Sequence, residues 1–288
     1  MELTVMTYNI HIGIPEGHNI GQYVPTVKDM SNLAKAIRES GAHIIGLNEV
    51  DRFYGQPGKS RSGYLHQSLE LAQMLNINYA YGSTRDDGEW PGPGMTDYME
   101  WGNTSMHESN REPVGAYGNA QLSQNPILYV HNFKLPMTPG NEQRCLLLTV
   151  QQIGDLTFHI YNAHFQDASA PHNERDRWAQ AQVVARIIEK DDCPNKILMG
   201  DFNWDISWEN EEAYQDKEIF HLSKVLETSG LIDSGSMVGM DRVKTYPSTK
   251  PNQRIDYIFV PPAFKVKSVE VHPWMCSDHR PVVANLEI

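Results

Sequence analysis

The chain is built largely of short strand-like segments that alternate with amphipathic helical patterns. Short apolar runs and alternating apolar and polar residues predict buried or half-buried β-strands. Nine segments have this character: Leu3–Ile10, His43–Val50, Ile127–Phe133, Arg144–Ile153, Leu156–Phe165, Lys196–Asn203, Arg254–Val260, Val266–His272 and Pro281–Ile288. Gly154 and Asp155 form a two-residue hairpin signal between two of them.

Four segments between these strands place apolar residues on one helix face. The first begins at Val27 and ends before Gly41, because glycine is favoured just beyond a helix C-terminus. The apolar faces of the others are Leu65, Leu69, Ala72 and Leu75; Trp178, Ala181, Val184, Ala185 and Ile188; and Leu222, Val225 and Leu226. Since strands outnumber helices, we expect an α/β protein whose sheets pack on each other and on helices.

The 288 residues contain no internal repeat or linker, so we expect a single domain over residues 1–288. Residues 83–118 and 204–219 are predicted to be insertions. The first is rich in glycine and proline and carries Trp90 and Trp101, and we expect it to shape substrate choice. The second holds six carboxylates and is equally consistent with a solvated surface excursion.

Composition narrows the function classes. A net charge of −12 argues against broad electrostatic binding to nucleic acid or anionic membranes. A phosphate substrate stays open, because bound cations can invert the local field. The three cysteines (Cys145, Cys193 and Cys276) lack zinc or disulfide spacing, and neither a signal peptide nor a transmembrane segment is evident. We expect a cytoplasmic monomer, or a secreted protein if a leader has been removed from this sequence.

The segment KILMGDFNW places Asp201 and Asn203 directly after a buried strand. Alternation along a strand lets these two side chains point at one target. In open α/β sheets, ligands bind beyond the carboxyl ends of strands. An Asx turn that closes the strand is the simpler explanation for an isolated Asp-x-Asn.

Other predicted strands also carry polar residues where they end or begin. These are Asn9, Glu49, His164, Asp256 and the pair Asp278-His279. Each has a structural explanation by itself, as a turn cap, a solvated carboxylate, a satisfied core histidine or an ion-pair partner. Their repetition at the same topological place favours a shared site.

Seven motifs resemble, in order, those of the endonuclease/exonuclease/phosphatase superfamily. They are TYNI (7–10), NEV (48–50), GNAQLSQNPI (118–127), NAHF (162–165), GDFNW (200–204), RIDYIF (254–259) and SDHRPV (277–282). The resemblance implies a four-layer α/β/β/α sandwich with two stacked mixed β-sheets. It also implies metal-dependent hydrolysis of a phosphoester at one edge of those sheets.

The resemblance implies roles for the polar residues. Glu49 would be the principal metal ligand, helped by Asn9 and Asp278, and the metal would be Mg²⁺, with Mn²⁺ or Ca²⁺ as alternatives. The implied catalytic residues are His164, Asp201, Asn203, Asp256 and His279. Asp201 and His279 are competing candidates for the general base. Candidate substrate-binding residues are Arg144, Asn119, Tyr117, Arg254 and His11, although His11 is equally consistent with a structural role.

The favoured function is a Mg²⁺-dependent phosphodiesterase for a small-molecule or headgroup-type substrate. A deoxyribonuclease-like nuclease is the first alternative, and an inactive binding module on the same fold is the second. A zinc hydrolase is less favoured, because the candidate ligands are dominated by oxygen.

Overall fold

The computed structural model describes residues 1–55, 58–86, 99–102, 115–169, 173–210 and 222–288. The strands in these ranges are β1 (Glu2–Asn9), β2 (Ile44–Arg52), β3 (Asn78–Asp86), β4 (Met99–Gly102), β5 (Ala116–Ser123), β6 (Ile127–Lys134), β7 (Cys145–Ile153), β8 (Leu156–His164), β9 (Lys196–Asp201), β10 (Ile232–Asp233), β11 (Asp256–Val260), β12 (Lys265–Val271) and β13 (Val282–Glu287). The helices are α1 (Val27–Ser40), α2 (Gln67–Leu75), α3 (Asn173–Glu189), α4 (Leu222–Glu227) and α5 (Ser234–Met237), with 3₁₀ turns at His11–Gly13 and Ile206–Asn210.

The strands form two mixed sheets. The first has seven strands in the order β12-β13-β1-β2-β5-β3-β4, and the second has six in the order β10-β11-β9-β8-β7-β6. The pairs β1–β2 and β8–β9 are parallel, whereas the other paired strands are antiparallel. Each sheet therefore contains one parallel pair whose carboxyl ends lie together.

Helices cover the outer face of each sheet, and the inner faces pack together. Met30 and Leu33 of α1 and Leu71 of α2 pack against the first sheet. The helices α3 and α4 cover the second sheet with residues such as Val184 and Leu226. The inner layer joins apolar residues of both sheets, including Leu3, Val5, Ile44, Ile160, Ile197 and Met199. This arrangement confirms the predicted four-layer α/β/β/α sandwich.

The nine predicted strands and four predicted helices are present. In α1, Thr26 and Asp29 form a capping box, and Gly41 adopts the left-handed conformation expected after a helix end. None of the helices within the described ranges has both the length and the apolar character needed to cross a membrane.

Part of the segment predicted as an insertion belongs to the first sheet. Residues 83–86 complete β3, residues 99–102 form β4, and β5 begins at Ala116. No strand was predicted at β5, although Asn119–Ser123 alternate polar and apolar residues; such alternation is typical of a strand with one solvated face, yet every residue of β5 is buried. Trp90 lies outside the described residues, as do residues 211–219 of the acidic segment. The prediction that residues 83–118 shape substrate choice remains untested.

The polar residues of β5 are buried because they form hydrogen bonds across the sandwich. The Gln121 amide donates to the carbonyl oxygens of Leu147 (2.8 Å) and Ile160 (3.0 Å) in the second sheet. Thr149 donates in turn to the side-chain oxygen of Gln121 at 2.7 Å. Buried amides are tolerated when their donors and acceptors are satisfied in this way. The interior between the sheets is therefore partly polar.

Candidate active site

Both sheets contribute polar side chains to one edge of the sandwich. The contributing residues are Asn9 on β1, Glu49 on β2, His164 on β8, Asp201 on β9, Asp256 on β11, and Asp278 and His279 just before β13. His164 and Asp201 face each other across the parallel β8–β9 pair, and Asp256 pairs with Asp201 across β9–β11. The strand topology thus brings together residues that are distant in sequence.

Asn9 links the two halves of the cluster. Its amide nitrogen lies 3.0 Å from Glu49 Oε1 and 3.0 Å from Asp201 Oδ2. Its amide oxygen accepts a hydrogen bond from the backbone N–H of His11 at 2.9 Å. Asn9 is fully buried, so these contacts fix its orientation. One side chain of the first sheet therefore positions carboxylates from both sheets.

A bulge in β2 presents Glu49. The β2–β5 register shifts between Leu47 and Val50, and Glu49 has a left-handed φ of 56°. Bulges commonly re-aim a side chain beside a functional site. Although Glu49 remains partly accessible, its removal from bulk water raises its carboxyl pKa, and the nearby Asp278 carboxylate raises it further. Two neighbouring carboxylates repel each other, and a cation bound beside them would relieve this repulsion.

Asp201 lies at the centre of the cluster and is 1% exposed. Its Oδ1 accepts the backbone N–H of Asn203 at 2.8 Å, which is the Asx turn anticipated from the sequence. Its Oδ2 lies 3.5 Å from His164 Nε2 and 3.7 Å from His279 Nε2. Burial raises the pKa of Asp201 to about 7, with His279 opposing the shift and Asp256 reinforcing it. The turn and the site therefore use different oxygens of one carboxylate.

His279 lies between two carboxylates. Its Nδ1 is 2.9 Å from Asp256 Oδ2, and the ring of Tyr246 packs against it with a centroid distance of 4.8 Å. Burial by itself would lower the pKa of His279, but the Asp256 and Asp201 carboxylates outweigh it and raise the pKa to about 10. His279 is therefore held as an imidazolium whose two N–H groups face carboxylate oxygens.

His164 has the opposite character. Burial lowers its pKa well below the usual value, and the positive charges of Arg144 and His279 lower it further. Arg144 Nη1 lies 3.0 Å from Nδ1 and 3.2 Å from Nε2 of this ring. Asn203 Nδ2 lies 3.3 Å from His164 Nε2 and donates to the carbonyl of Phe165 at 3.1 Å. The cluster thus holds one neutral and one charged histidine.

Two predicted substrate-binding residues are not brought to this cluster. Asn119 is 1% exposed and lies between the sheets, where its amide donates to the carbonyls of Cys145 (3.1 Å) and Asn162 (3.3 Å). Arg254 forms a two-point ion pair with Asp233, both contacts being 2.7 Å. Because these polar groups are already engaged elsewhere, neither residue is arranged to receive a substrate.

The other substrate candidates lie beside the carboxylates. Arg144 contacts His164 as described and is 3.3 Å from Glu142 Oε1. Burial raises the pKa of Tyr117 well above its usual value, and Glu142 and Glu49 reinforce the shift. His11 Nδ1 is 3.7 Å from Asp278 Oδ1. These three side chains therefore lie near the carboxylates of Glu49 and Asp278.

Comparison with known proteins agrees with this arrangement. The sequence model of the Endonuclease/Exonuclease/phosphatase family matches residues 6–279. The chain belongs to this family. Its members hydrolyse phosphoester bonds, and the chain is accordingly a phosphoester hydrolase by family. No curated protein matches the sequence.

Solved structures of the family share the fold at low sequence identity. An endonuclease/exonuclease/phosphatase from Beutenbergia cavernae has a TM-score of 0.69 at 22% identity, covering 100% of this chain and 72% of its own. A mannosyl-6-phosphatase of Bacteroides thetaiotaomicron has a TM-score of 0.66 at 19% identity, with 99% and 100% covered. TDP2 from Caenorhabditis elegans has a TM-score of 0.59 at 16% identity, with 100% and 75% covered.

The Endonuclease/Exonuclease/phosphatase family generally depends on a divalent metal, and the donor set here fits one. Glu49, Asp278 and Asn9 offer the oxygen-rich ligands that hard cations prefer. Ligand atoms of Asp201, Asp256 and His279 also lie within 4.8 Å of one another, which makes them a second candidate group. In that group the imidazolium of His279 already offsets one of the two carboxylate charges. Both groups are therefore candidate positions for a cation.

Three residues of the site were given no role from the sequence. Asn48 Oδ1 accepts the backbone N–H of Asp201 at 3.1 Å. Ser277 Oγ donates to the carbonyl of Asn9 at 2.7 Å, and Tyr246 packs on His279. Asn48 had a signal, because it is a polar residue between the apolar run IIGL and Glu49. Tyr246 lies in a loop without periodicity, and its position follows only from the fold.

Proposed function

We propose that the protein is a Mg²⁺-dependent phosphodiesterase that acts on a small-molecule or headgroup-type substrate. Mn²⁺ and Ca²⁺ are the alternative ions. The observation that carries the proposal is that carboxylates from both sheets share one edge of the sandwich with a neutral histidine, His164, and a charged one, His279. Asn9, Glu49 and Asp278 would hold the cation, which would polarise a phosphoryl oxygen when bound.

Asp201 is the proposed general base. The imidazolium of His279 directs both N–H groups at carboxylates, so it has no free lone pair with which to take a proton. Asp201 Oδ2 faces both histidines, and its raised pKa suits proton transfer near neutral pH. Asp256 holds the His279 ring through Nδ1, whereas Nε2 lies 3.7 Å from Asp201, too far for a hydrogen bond, so its N–H is available to donate to a phosphoryl oxygen.

His164 and Asn203 complete the proposed machinery. His164 is neutral, and its ring lies within hydrogen-bonding distance of both Arg144 and Asn203. The three side chains together offer hydrogen-bond donors for the non-bridging phosphoryl oxygens. Donors that are held in place before the reaction stabilise charge as it develops in the transition state.

The site offers little positive charge to a substrate, which favours a phosphodiester over a phosphomonoester. The Arg144 guanidinium contacts His164, and it is shared with the Glu142 carboxylate at 3.3 Å. His279 is likewise paired with Asp256. A diester carries one negative charge and needs less compensation than a monoester dianion. The net charge of −12 gives no support to a nucleic acid substrate.

The test compares bis-p-nitrophenyl phosphate, p-nitrophenyl phosphate and plasmid DNA with Mg²⁺ or Mn²⁺, before and after EDTA. We expect the diester to be hydrolysed fastest and EDTA to abolish turnover. Undiminished turnover after chelation would refute the metal dependence. Faster hydrolysis of the monoester would identify a phosphatase, and faster hydrolysis of DNA would identify a nuclease. No turnover with metal bound would favour the binding module.

A matched pair of variants tests the assignment of Asp201. Asp201→Asn should lower kcat by about 10²-fold or more. Asp191→Asn is the control, because Asp191 is a hydrogen-bonded carboxylate that accepts from Tyr161 (2.7 Å) away from the cluster. Equal effects of the two substitutions on kcat would refute the role of Asp201. A cytoplasmic location and a monomeric state stay predictions from the sequence.

A further inference from the structure

His11 lies directly after β1 in a constrained backbone. His11 and Ile12 have left-handed φ values of 47° and 48°. This conformation is unfavourable for a residue other than glycine. It is held by the His11 N–H, which donates to Asn9 Oδ1 at 2.9 Å, and by Gln67, whose amide donates to the Ile12 carbonyl at 2.5 Å. The fold therefore maintains one orientation of His11 against a local cost.

That orientation directs the ring at a carboxylate without forming a hydrogen bond. His11 Nδ1 is buried, has no hydrogen-bond partner among the described residues, and lies 3.7 Å from Asp278 Oδ1. This separation is too long for a hydrogen bond. Two atoms that each lie about 2.1 Å from one cation are separated by about 3.0 Å at right angles and by about 4.2 Å when opposed. The separation therefore suits two ligands of a single ion.

Glu49 lies on the same side of the cluster as the His11 ring. Burial and Asp278 raise the pKa of Glu49, while the positive charge that His11 can carry acts in the opposite sense. The imidazole therefore faces the same carboxylate pair to which the cation was assigned.

We propose that His11 Nδ1 is a direct ligand of the divalent cation, together with Glu49 and Asp278. The proposal rests on the metal dependence proposed above and adds a nitrogen ligand to an otherwise oxygen-rich site. Imidazole favours transition metals over Mg²⁺. The site should consequently prefer Mn²⁺ to Mg²⁺ more strongly than a site with oxygen ligands alone.

Electron spin echo spectroscopy of bound Mn²⁺ tests the proposal directly, because a coordinated imidazole gives a ¹⁴N modulation. We expect this modulation in the unsubstituted protein and its loss in His11→Asn, with Mn²⁺ still bound. Asparagine is chosen because it tolerates the left-handed backbone. The control is His272→Asn, since His272 stacks on Trp274 outside the site and its loss should leave the modulation intact.

The outcomes separate the two proposals. The preference for Mn²⁺ over Mg²⁺ in direct binding titrations should fall about tenfold or more in His11→Asn. Bound Mn²⁺ without a ¹⁴N modulation in the unsubstituted protein would refute the role of His11 and leave the metal dependence standing. A modulation that persists in His11→Asn would assign the nitrogen to another histidine. Failure of Mn²⁺ and Mg²⁺ to bind would overturn both proposals.

Discussion

Asn48 connects the two halves of the active site, and its removal should damage both stability and catalysis. It is fully buried and makes four hydrogen bonds. Its oxygen accepts the backbone N–H of Asp201 at 3.1 Å. The two N–H groups of its amide are shared among three acceptors, the side-chain oxygens of Asn119 and Asn162, both at 3.1 Å, and the carbonyl of Ala163 at 3.0 Å. Asn48 also directly precedes Glu49 in the β2 bulge.

The expected loss in Asn48→Ala follows from these contacts. Each buried group left without a partner costs about 1–3 kcal/mol, and a water that enters the space offsets part of this. We therefore expect the free energy of unfolding to fall by about 3–5 kcal/mol. For a protein of this size, that corresponds to a drop in Tm of about 6–15 °C. Because Asp201 loses the bond that fixes its backbone, kcat should fall by about 10²-fold.

Thermal unfolding and kcat on an activated diester measure both effects. The control is Asn285→Ala, because Asn285 is a partly buried asparagine on β13 that accepts from Thr4 (2.8 Å) and donates to Ser268 (2.9 Å). It should lose about 1 kcal/mol and keep its kcat. The reasoning fails if Asn48→Ala loses less than its control. A stability loss without any change in kcat would show that Asn48 supports the fold but does not position the site.

Two further substitutions probe the surroundings of the site. Gly200→Ala would put Cβ 1.9 Å from a backbone carbonyl oxygen of β8 and should lower the free energy of unfolding by about 3 kcal/mol. The control is Gly239→Ala, which is also at positive φ but in open space and should cost about 1 kcal/mol. Equal losses in thermal unfolding would contradict the clash. Burial alone would raise the pKa of Asp205, but its hydrogen bond to Lys244 helps to hold it below its usual value. A lowered carboxyl pKa contributes stability above the unfolded pKa of about 4 that is lost as pH falls through the folded value. Asp205→Asn should therefore lower Tm more at pH 7 than at pH 3, unlike the exposed control Asp155→Asn, and equal losses at both pH values would argue against it.

The acidic segment shows why composition alone left two interpretations open. Asp205 is buried and accepts from Lys244 at 2.7 Å, and Glu209 accepts the indole N–H of Trp204 at 3.1 Å. The first part of residues 204–219 is therefore packed against the fold, not solvated. A carboxylate in the sequence does not reveal whether its partner is water or a distant lysine, because that partner is chosen by the fold.

The sequence by itself determined nine of the strands, four of the helices and the residue types of the site. Apolar periodicity located the strands with one apolar face, and Gly41 marked the end of α1, because these signals depend on near neighbours. The ordered motifs then placed Asn9, Glu49, His164 and Asp201 at strand ends. Each of these residues lies in the cluster, since the carboxyl ends of parallel strands meet at one edge of a sheet.

Only the tertiary structure decided which polar residues serve the site and which serve the interior. Asn119 and Arg254 were expected beside the substrate, yet their partners are buried backbone carbonyls and Asp233. The burial of both faces of β5 could not be predicted from its alternating polar and apolar residues, because its polar side chains are satisfied across the sandwich by bonds such as Gln121 to Leu147. The opposite charge states of the two histidines likewise depend on which groups the fold brings near each ring. Local sequence cannot encode these outcomes, because each depends on atoms contributed by strands far apart in the chain.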